Sequence, residues 1–391
     1  MRNIKNIFVI MTAVSLGYAL CHFQILSKIG YLFHTPKISV VMSTYNRAET
    51  MSDSIDSVLA QTEPDFEFII IDDGSTDNTF EILQQYAKKD RRIKVLRNDR
   101  NRGLIYSLNR GLDTAHGTFI ARIDDDDTML PWRLERQLLT MTLYPQVTIL
   151  GTRITNEEAQ IGKRTTLPMI ENPDLTEINS YTSSALAHPT IMIRRNFIEK
   201  HHIRYRDDNL YAEDCGFYAD VLNAGGKIST LEEHLLRYGV KKGVKKPQNY
   251  GHTQYNTYKK IQKEKLSRLF NDVDETLLGH GRDILTKCKI WEKMHIANAD
   301  KNIVNQSVLE GEIQKHCPQD LESSILVKHK FWDDFFVFDG PNRVYRYTNK
   351  DAATIIKNTP DTLVVKWDKY GTEIFKKEND HLYTFVTEET K

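Results

Sequence analysis

The chain has no surplus of either charge: 53 Lys and Arg stand against 53 Asp and Glu. That balance gives no support to a nucleic-acid partner or a strongly acidic one. Cysteine is scarce. Cys21, Cys215, Cys288 and Cys317 show no CxxC or other zinc-like spacing, and they do not read as a disulfide framework. Internal repeats and low-complexity tracts are missing. So is an early Gly-rich, basic phosphate loop, because the first strand-like run leads into STYNRAET. A nucleotidyltransferase would want such a loop there.

Long apolar runs are also rare, with one exception. Ile7 to Leu26 is mostly apolar and about long enough to cross a bilayer as a helix. Arg2 and Lys5 precede it and Lys28 follows. A membrane anchor is expected, with a cleaved signal peptide as the competing reading. The flanking charges bias topology only weakly. A Golgi lumen and the cytosolic face of a bacterial inner membrane both stay open for the folded body. Asn305-Gln306-Ser307 is a lone glycosylation sequon and decides nothing.

What is present is ample for folding. An apolar fraction of 40% over 391 residues can build one large domain and a smaller module. Strand-like runs (37–43, 66–71, 93–96 and 118–123) alternate with helical periods (49–60, 77–88 and 103–115). That alternation predicts βαβ units and a mostly parallel sheet. Further on, 148–154 and 190–193 read as strands, and 213–223 as a helix. The expected organisation is an anchor and stem over 1–36, a main α/β domain over 37–247, a helical extension over 248–330 and a β-rich module over 331–391. The aromatics of that last module read mostly as core and interface rather than as a sugar-binding surface.

Ligands of parallel sheets bind at the carboxyl ends of the strands. The residues there are Ser43-Thr44-Tyr45-Asn46, then Asp72-Asp73-Gly74-Ser75-Thr76-Asp77, then Asp124-Asp125-Asp126-Asp127. Four adjacent carboxylates raise one another's pKa, and a hard divalent cation relieves the repulsion. Such a site suits departure of a diphosphate. A solvated acidic turn is the plain alternative. Asp72-Asp73-Gly74-Ser75 is also good turn chemistry, but its carboxylates can accept from a base N–H while Tyr45 stacks on the base.

The order of these motifs, ISVVMSTYNRAET through FEFIIIDDGSTDNT to GTFIARIDDDDTMLPWRLERQ, resembles family 2 glycosyltransferases. The likeness is strong over 37–137 and continues more weakly to about Tyr238. It implies a GT-A (Rossmann-like) α/β fold and an inverting, non-processive transfer from a nucleotide sugar, most often a UDP-sugar, to a glycan or glycoconjugate. By motif position it implies that Asp73, beside Asp72, reads the base and that Ser43 and Tyr45 line the nucleoside. Asp124 and Asp126 then carry the Asp-x-Asp role toward Mn²⁺ or Mg²⁺, with Asp126 the more direct ligand. Asp125 stands where the family has a small residue, and it joins the nucleotide-binding set. Arg122 is expected beside the diphosphate. Ala187-His188-Pro189-Thr190 resembles the segment under the donor sugar, so His188 is a sugar-contacting candidate or a structural histidine. Tyr211-Ala212-Glu213-Asp214 resembles the Glu-Asp motif, which makes Asp214 the base, with Glu213 beside it. A helix N-terminus is the plain reading of that pair. The basic loop 237–246 reads first as solvated, and otherwise as a lid or a lipid contact. Processive synthases carry several membrane spans and a QxxRW-type motif, and neither follows Asp214. A catalytically inactive nucleotide-sugar or glycan-binding protein is the remaining alternative.

Overall fold

The structure is a computed structural model. It describes residues 35–155, 168–239 and 248–273, residues 275 and 278, and most of 284–317. It also describes the strands between 325 and 388. The apolar segment 7–26 and residues 240–247 of the basic loop lie outside the described residues. Among the described residues no helix is long and apolar enough to cross a membrane.

The chain opens with β1 (Ile38–Thr44), α1 (Ser52–Leu59), β2 (Phe66–Asp72), α2 (Thr79–Lys89), β3 (Ile93–Arg97), α3 (Leu104–Thr114) and β4 (Phe119–Arg122). β1 pairs in parallel with β2 and β4, and β2 with β3. Successive side chains on a strand point to opposite faces, and here both faces are covered. Ile38, Val40, Met42, Phe68 and Ile70 pack with Met51 at the start of α1, Ile55 and Val58 within it and Leu83 of α2. On the other face Val41, Ile69 and Ile71 pack with Ile105, Leu108 and Leu112 of α3. Burial on both sides is why these strands read as near-continuous apolar runs.

Then come β5 (Thr128–Met129), α4 (Arg133–Leu143), β6 (Val147–Thr155), α5 (Pro173–Ser180), β7 (Met192–Arg194), α6 (Arg195–Lys200), α7 (Glu213–Asn223) and β8 (Lys227–Arg237). All eight strands form one sheet in the order β3-β2-β1-β4-β7-β6-β8-β5. The expected mostly parallel sheet is corrected to a mixed one. β7 runs antiparallel to β4 and β6, and β5 antiparallel to β8. The reversal matters for the site: a strand running backward brings its beginning, not its end, to the rim where the parallel strands finish.

Helices α8 (Tyr250–Leu266), α9 (Ile284–Lys301) and α10 (Gln306–His316) follow. Leu266, Trp291, Met294 and Leu309 share a core with Ile178 and Tyr181, at and just beyond α5. Cys288 and Cys317 form a disulfide in this cluster. The sequence expectation of no disulfide is thereby corrected. The two cysteines are 29 positions apart and meet only because α9 and α10 fold back on each other. Cys215 is a free thiol. Seven strands, β9 (Ile325–Lys328), β10 (Asp333–Phe338), β11 (Arg343–Arg346), β12 (Ala352–Asn358), β13 (Thr362–Trp367), β14 (Thr372–Asn379) and β15 (Leu382–Glu388), close into a barrel in the expected β-rich region.

Candidate active site

Register sets the first half of the rim. Thr44 lies beside Asp72, and Asp72 beside Arg97, so β1, β2 and β3 finish together. Ser43 is half-buried at this edge, and the Tyr45 ring is 39% exposed. Asn46 takes a left-handed φ of 53°, which its short polar side chain tolerates. It stitches two loops together: its N–H donates to Ser75 Oγ (2.9 Å), and Thr76 N–H donates to Asn46 Oδ1 (2.8 Å).

Asp72 is fully buried, accepts from Ser75 N–H (3.1 Å) and pairs with Arg97 (3.2 Å). Asp73 is gripped by three donors: Asn98 Nδ2 (2.6 Å), Arg102 N–H (2.8 Å) and Gly103 N–H (2.9 Å). Gly103 sits at φ 90°, a backbone that glycine accepts without steric cost, and it precedes α3. Asp73 therefore fixes the loop between β3 and α3 as well as facing this edge of the rim.

The second half of the rim is acidic around the buried Arg122. Arg122, 4% exposed, ends β4 and forms a short ion pair with Asp124. Its Nε and Nη1 have no hydrogen-bond partner among the described residues. Asp125 turns the other way and meets Arg47, from the loop after β1, at 3.4 Å. Asp127 accepts from Gly239 N–H at 2.7 Å. Burial pushes its carboxyl up to about 7, helped by the negative charges of Asp124 and Asp126 and opposed by Gly239 N–H and Arg122. Gly239 packs so tightly that a Cβ there would lie 1.7 Å from the Asp126 carbonyl oxygen. Among the described residues no three Asp, Glu, His or Cys side chains make a ready metal cage.

The reversed strand supplies the third part. The turn His188–Thr190 precedes β7 and so reaches the β4 end, where Arg122 N–H donates to Ile191 O at 3.0 Å. His188 Nε2 and the Tyr205 hydroxyl lie 2.8 Å apart. Burial, then the Arg122 charge, holds the His188 imidazole well below its ordinary pKa, so it is neutral. Helix α7 begins at Glu213. The Glu213 and Asp214 carboxyls keep an opening to the surface but sit deep in the fold, and depth governs their desolvation. Burial pushes Glu213 up to about 7, with Asp214 adding repulsion and its own backbone N–H and Arg122 opposing. Burial likewise raises Asp214, against hydrogen bonds from Cys215 and the charge of Arg122. Ser184 Oγ lies 3.5 Å from Asp214. Arg122 thus acts electrostatically on Asp127, His188, Glu213 and Asp214 alike.

Comparison with known proteins gives this constellation a family. The family model described as glycosyl transferase family 2 matches residues 39–201. The O-antigen biosynthesis glycosyltransferase WbnJ of Escherichia coli is 33% identical over 52% of this chain and 79% of its own length. The chain belongs to glycosyltransferase family 2. An uncharacterized glycosyltransferase of Haemophilus influenzae is 29% identical over 68% of this chain and 83% of that one. Among solved structures, S. aureus TarS 1-349 aligns with a TM-score of 0.46 and 19% identity, covering 78% of this chain and 97% of that chain.

In this family 2 glycosyltransferase, Ser43, Tyr45, Asp72 and Asp73 gather at one end of the rim. Arg122 and Asp124 occupy its middle, and His188, Glu213 and Asp214 share the field of Arg122. Asp125 departs from the group, drawn off by Arg47. Sequence reasoning passed over Arg97, Asn98, Arg102 and Tyr205. The first three sit in the run RNDRNRG, whose Asn, Asp and Gly mark a turn without showing that it closes on Asp73. Tyr205 carried no signal beyond being aromatic.

Proposed function

We propose that the chain is an inverting, non-processive glycosyltransferase that moves a sugar from a UDP-sugar to a hydroxyl of a glycan or glycoconjugate. One observation carries the reading: a buried arginine with two unsatisfied nitrogen donors, Nε and Nη1, stands between an Asp-x-Asp turn and a desolvated Glu-Asp pair. That arrangement suits a diphosphate on one side of a reacting sugar and an acceptor hydroxyl on the other.

Tyr45 stacks on the base, and Asp73, with Asp72 behind it, accepts from the base N–H. Ser43 lines the nucleoside. Arg122 directs its free N–H groups at the diphosphate, where developing negative charge is stabilised in a dry setting. The donor set also fits a hard divalent cation, because it offers only oxygen and its carboxylates repel one another enough to help raise Asp127. Asp126 and Asp124 would hold Mn²⁺ or Mg²⁺, which neutralises charge on the leaving diphosphate.

Asp214 takes the proton of the acceptor hydroxyl. The acceptor oxygen bonds to the anomeric carbon as the bond to the diphosphate oxygen breaks, and that electron pair leaves with the diphosphate. Attack from the face opposite the leaving group inverts the centre. A base with a raised pKa is well matched to this proton. Glu213, still partly protonated near pH 7, limits the charge beside it. Neutral His188 offers a hydrogen bond under the donor sugar without adding positive charge. The segment 7–26 anchors the catalytic body to a membrane in this reading.

The test is hydrolysis of a nucleotide-sugar panel by the chain, with Mn²⁺ and with chelator. Metal-dependent release of UDP from one donor, lost in Asp126→Ala, is the expected result. Failure of every nucleotide sugar in the panel to turn over, together with no UDP binding by calorimetry, would overturn the reading and leave an inactive glycan-binding protein.

A further inference from the structure

Tyr211, two residues before Glu213, has a φ of 66°. A bulky L-residue rarely adopts a left-handed backbone, and such residues persist only where their surroundings impose them. Part of that constraint is local, since Ala212 N–H donates to the Asn209 carbonyl at 3.0 Å across the turn, and part comes from one helix that lies beyond the 39–201 span of the family model. Gln254 of α8 donates from Nε2 to the Tyr211 carbonyl at 2.9 Å. The Tyr250 ring, one turn earlier on α8, packs on the Tyr211 ring with centroids 4.5 Å apart. Gln254 Nε2 also reaches the Tyr250 hydroxyl at 3.3 Å, so the two contacts support each other.

The same face of α8 grips the chain on the far side of Asp214. Positions 250, 254, 258, 261 and 265 recur every three or four residues and so form one helical stripe. Ile261 packs with Ala212 and Ala219, on either side of the Glu-Asp pair. Gln262 Nε2 donates to the Tyr181 carbonyl at 3.1 Å. Lys265 is buried and donates to Ser180 Oγ at 2.8 Å and to the Ser180 carbonyl. The segment so held leads to Ser184, the neighbour of Asp214. One rigid helix therefore fixes both strands of backbone that flank the Asp214 carboxyl.

We infer that α8 is a brace for the Glu213–Asp214 loop, with Tyr250 and Gln254 as positioning residues that hold Tyr211 in its left-handed conformation. The inference rests on Asp214 as the base. A base displaced by about 1 Å costs on the order of 100-fold in rate, whereas donor binding at the opposite end of the rim is untouched. Loss of the brace is thus expected to appear in kcat and not in nucleotide affinity.

The experiment uses the full chain, UDP calorimetry, thermal melting, and kcat for Mn²⁺-supported UDP release from the UDP-sugar that the donor panel selects. Tyr250→Ala and Gln254→Ala should each lower kcat about 10- to 100-fold with the UDP Kd within twofold. Tyr250→Phe keeps the ring contact and should stay within threefold of the parent. Gln254 is exposed, so its replacement reads positioning without unfolding the chain. An unchanged kcat in Gln254→Ala and Tyr250→Ala, with Asp214→Asn inactive, overturns the brace and keeps the base. Equal loss of kcat and UDP affinity also overturns it, since that outcome reports general damage. An Asp214→Asn enzyme of full activity removes the base, and the brace with it.

Discussion

Replacing Gly239 by alanine should disable the enzyme through one methyl group. Gly239 follows β8 and does not have a positive φ, so alanine adopts its backbone without strain. The difficulty is space. The new Cβ would lie 1.7 Å from the Asp126 carbonyl oxygen and 2.6 Å from its carbon. Relief to an ordinary contact of about 3.4 Å requires a shift of roughly 1.7 Å. Neither side yields easily. Thr128 and Met129 pair with Arg237 and Leu236, and Tyr238 N–H donates to Thr155 O at 3.1 Å. The shift therefore falls on Asp126 and on the Gly239 N–H bond to Asp127. A displacement of that size at a reacting centre predicts a loss of about 100-fold or more in UDP release, with a destabilisation of about 1–3 kcal/mol. Gly251→Ala is the matched control, because nothing lies within 4 Å of its Cβ position. Steady-state UDP release and thermal melting of both variants decide the matter. A Gly239→Ala enzyme within threefold of the parent, with an unchanged Tm, would refute the claim that this contact places Asp126.

Three further outcomes follow from the same geometry. Glu213, raised to about 7 from an ordinary 4.5, binds its proton more tightly when folded. Its contribution is complete below pH 4.5 and is lost as pH rises toward 7, to a limit of about 3 kcal/mol. Glu213→Gln should therefore match the parent's Tm near pH 4 and exceed it at pH 8; a Tm difference that does not change with pH would count against the shift. Glu233 and Arg136 form a buried pair with contacts of 2.9 and 2.6 Å. Glu233→Gln removes the carboxylate charge facing a buried guanidinium and should cost about 3–5 kcal/mol in denaturant unfolding, against near zero if the pair is dispensable. Joining Cys288 to Cys317 closes a loop of 29 positions, so Cys317→Ser should lower stability by about 2–4 kcal/mol under non-reducing conditions. An unchanged melting curve would show that the bond contributes nothing to stability.

Much of the fold was legible because its first half obeys simple periods. ISVVMST and FEFIIID are buried on both faces, and α1 to α3 each show one apolar stripe, so elements fell within a few residues of their places. Strand order beyond β4 was not legible. β5 has two residues and β7 three, too short for any period, and their pairings join positions distant in sequence. The strand-end carboxylates stood out as residue types, but their directions did not. In four identical aspartates nothing in the sequence says that Asp125 faces Arg47 while Asp124 faces Arg122. The disulfide was hidden for a related reason: its partners meet through helix packing, not through a spacing that a reader can recognise.

The mixed sheet has a consequence for motion. β1, β2 and β4, which carry Thr44, Asp72 and Arg122, and β7, which follows the His188 turn, are hydrogen-bonded parts of a single sheet. Helix α7, with Asp214 in its first turn, is seated on that sheet through Phe217, Tyr218 and Val221. Strand pairing within that sheet therefore opposes a hinge between these parts of the rim. A change in access to the rim then falls to segments that lie off the sheet, while strand pairing holds the spacing between β1, β2, β4 and β7.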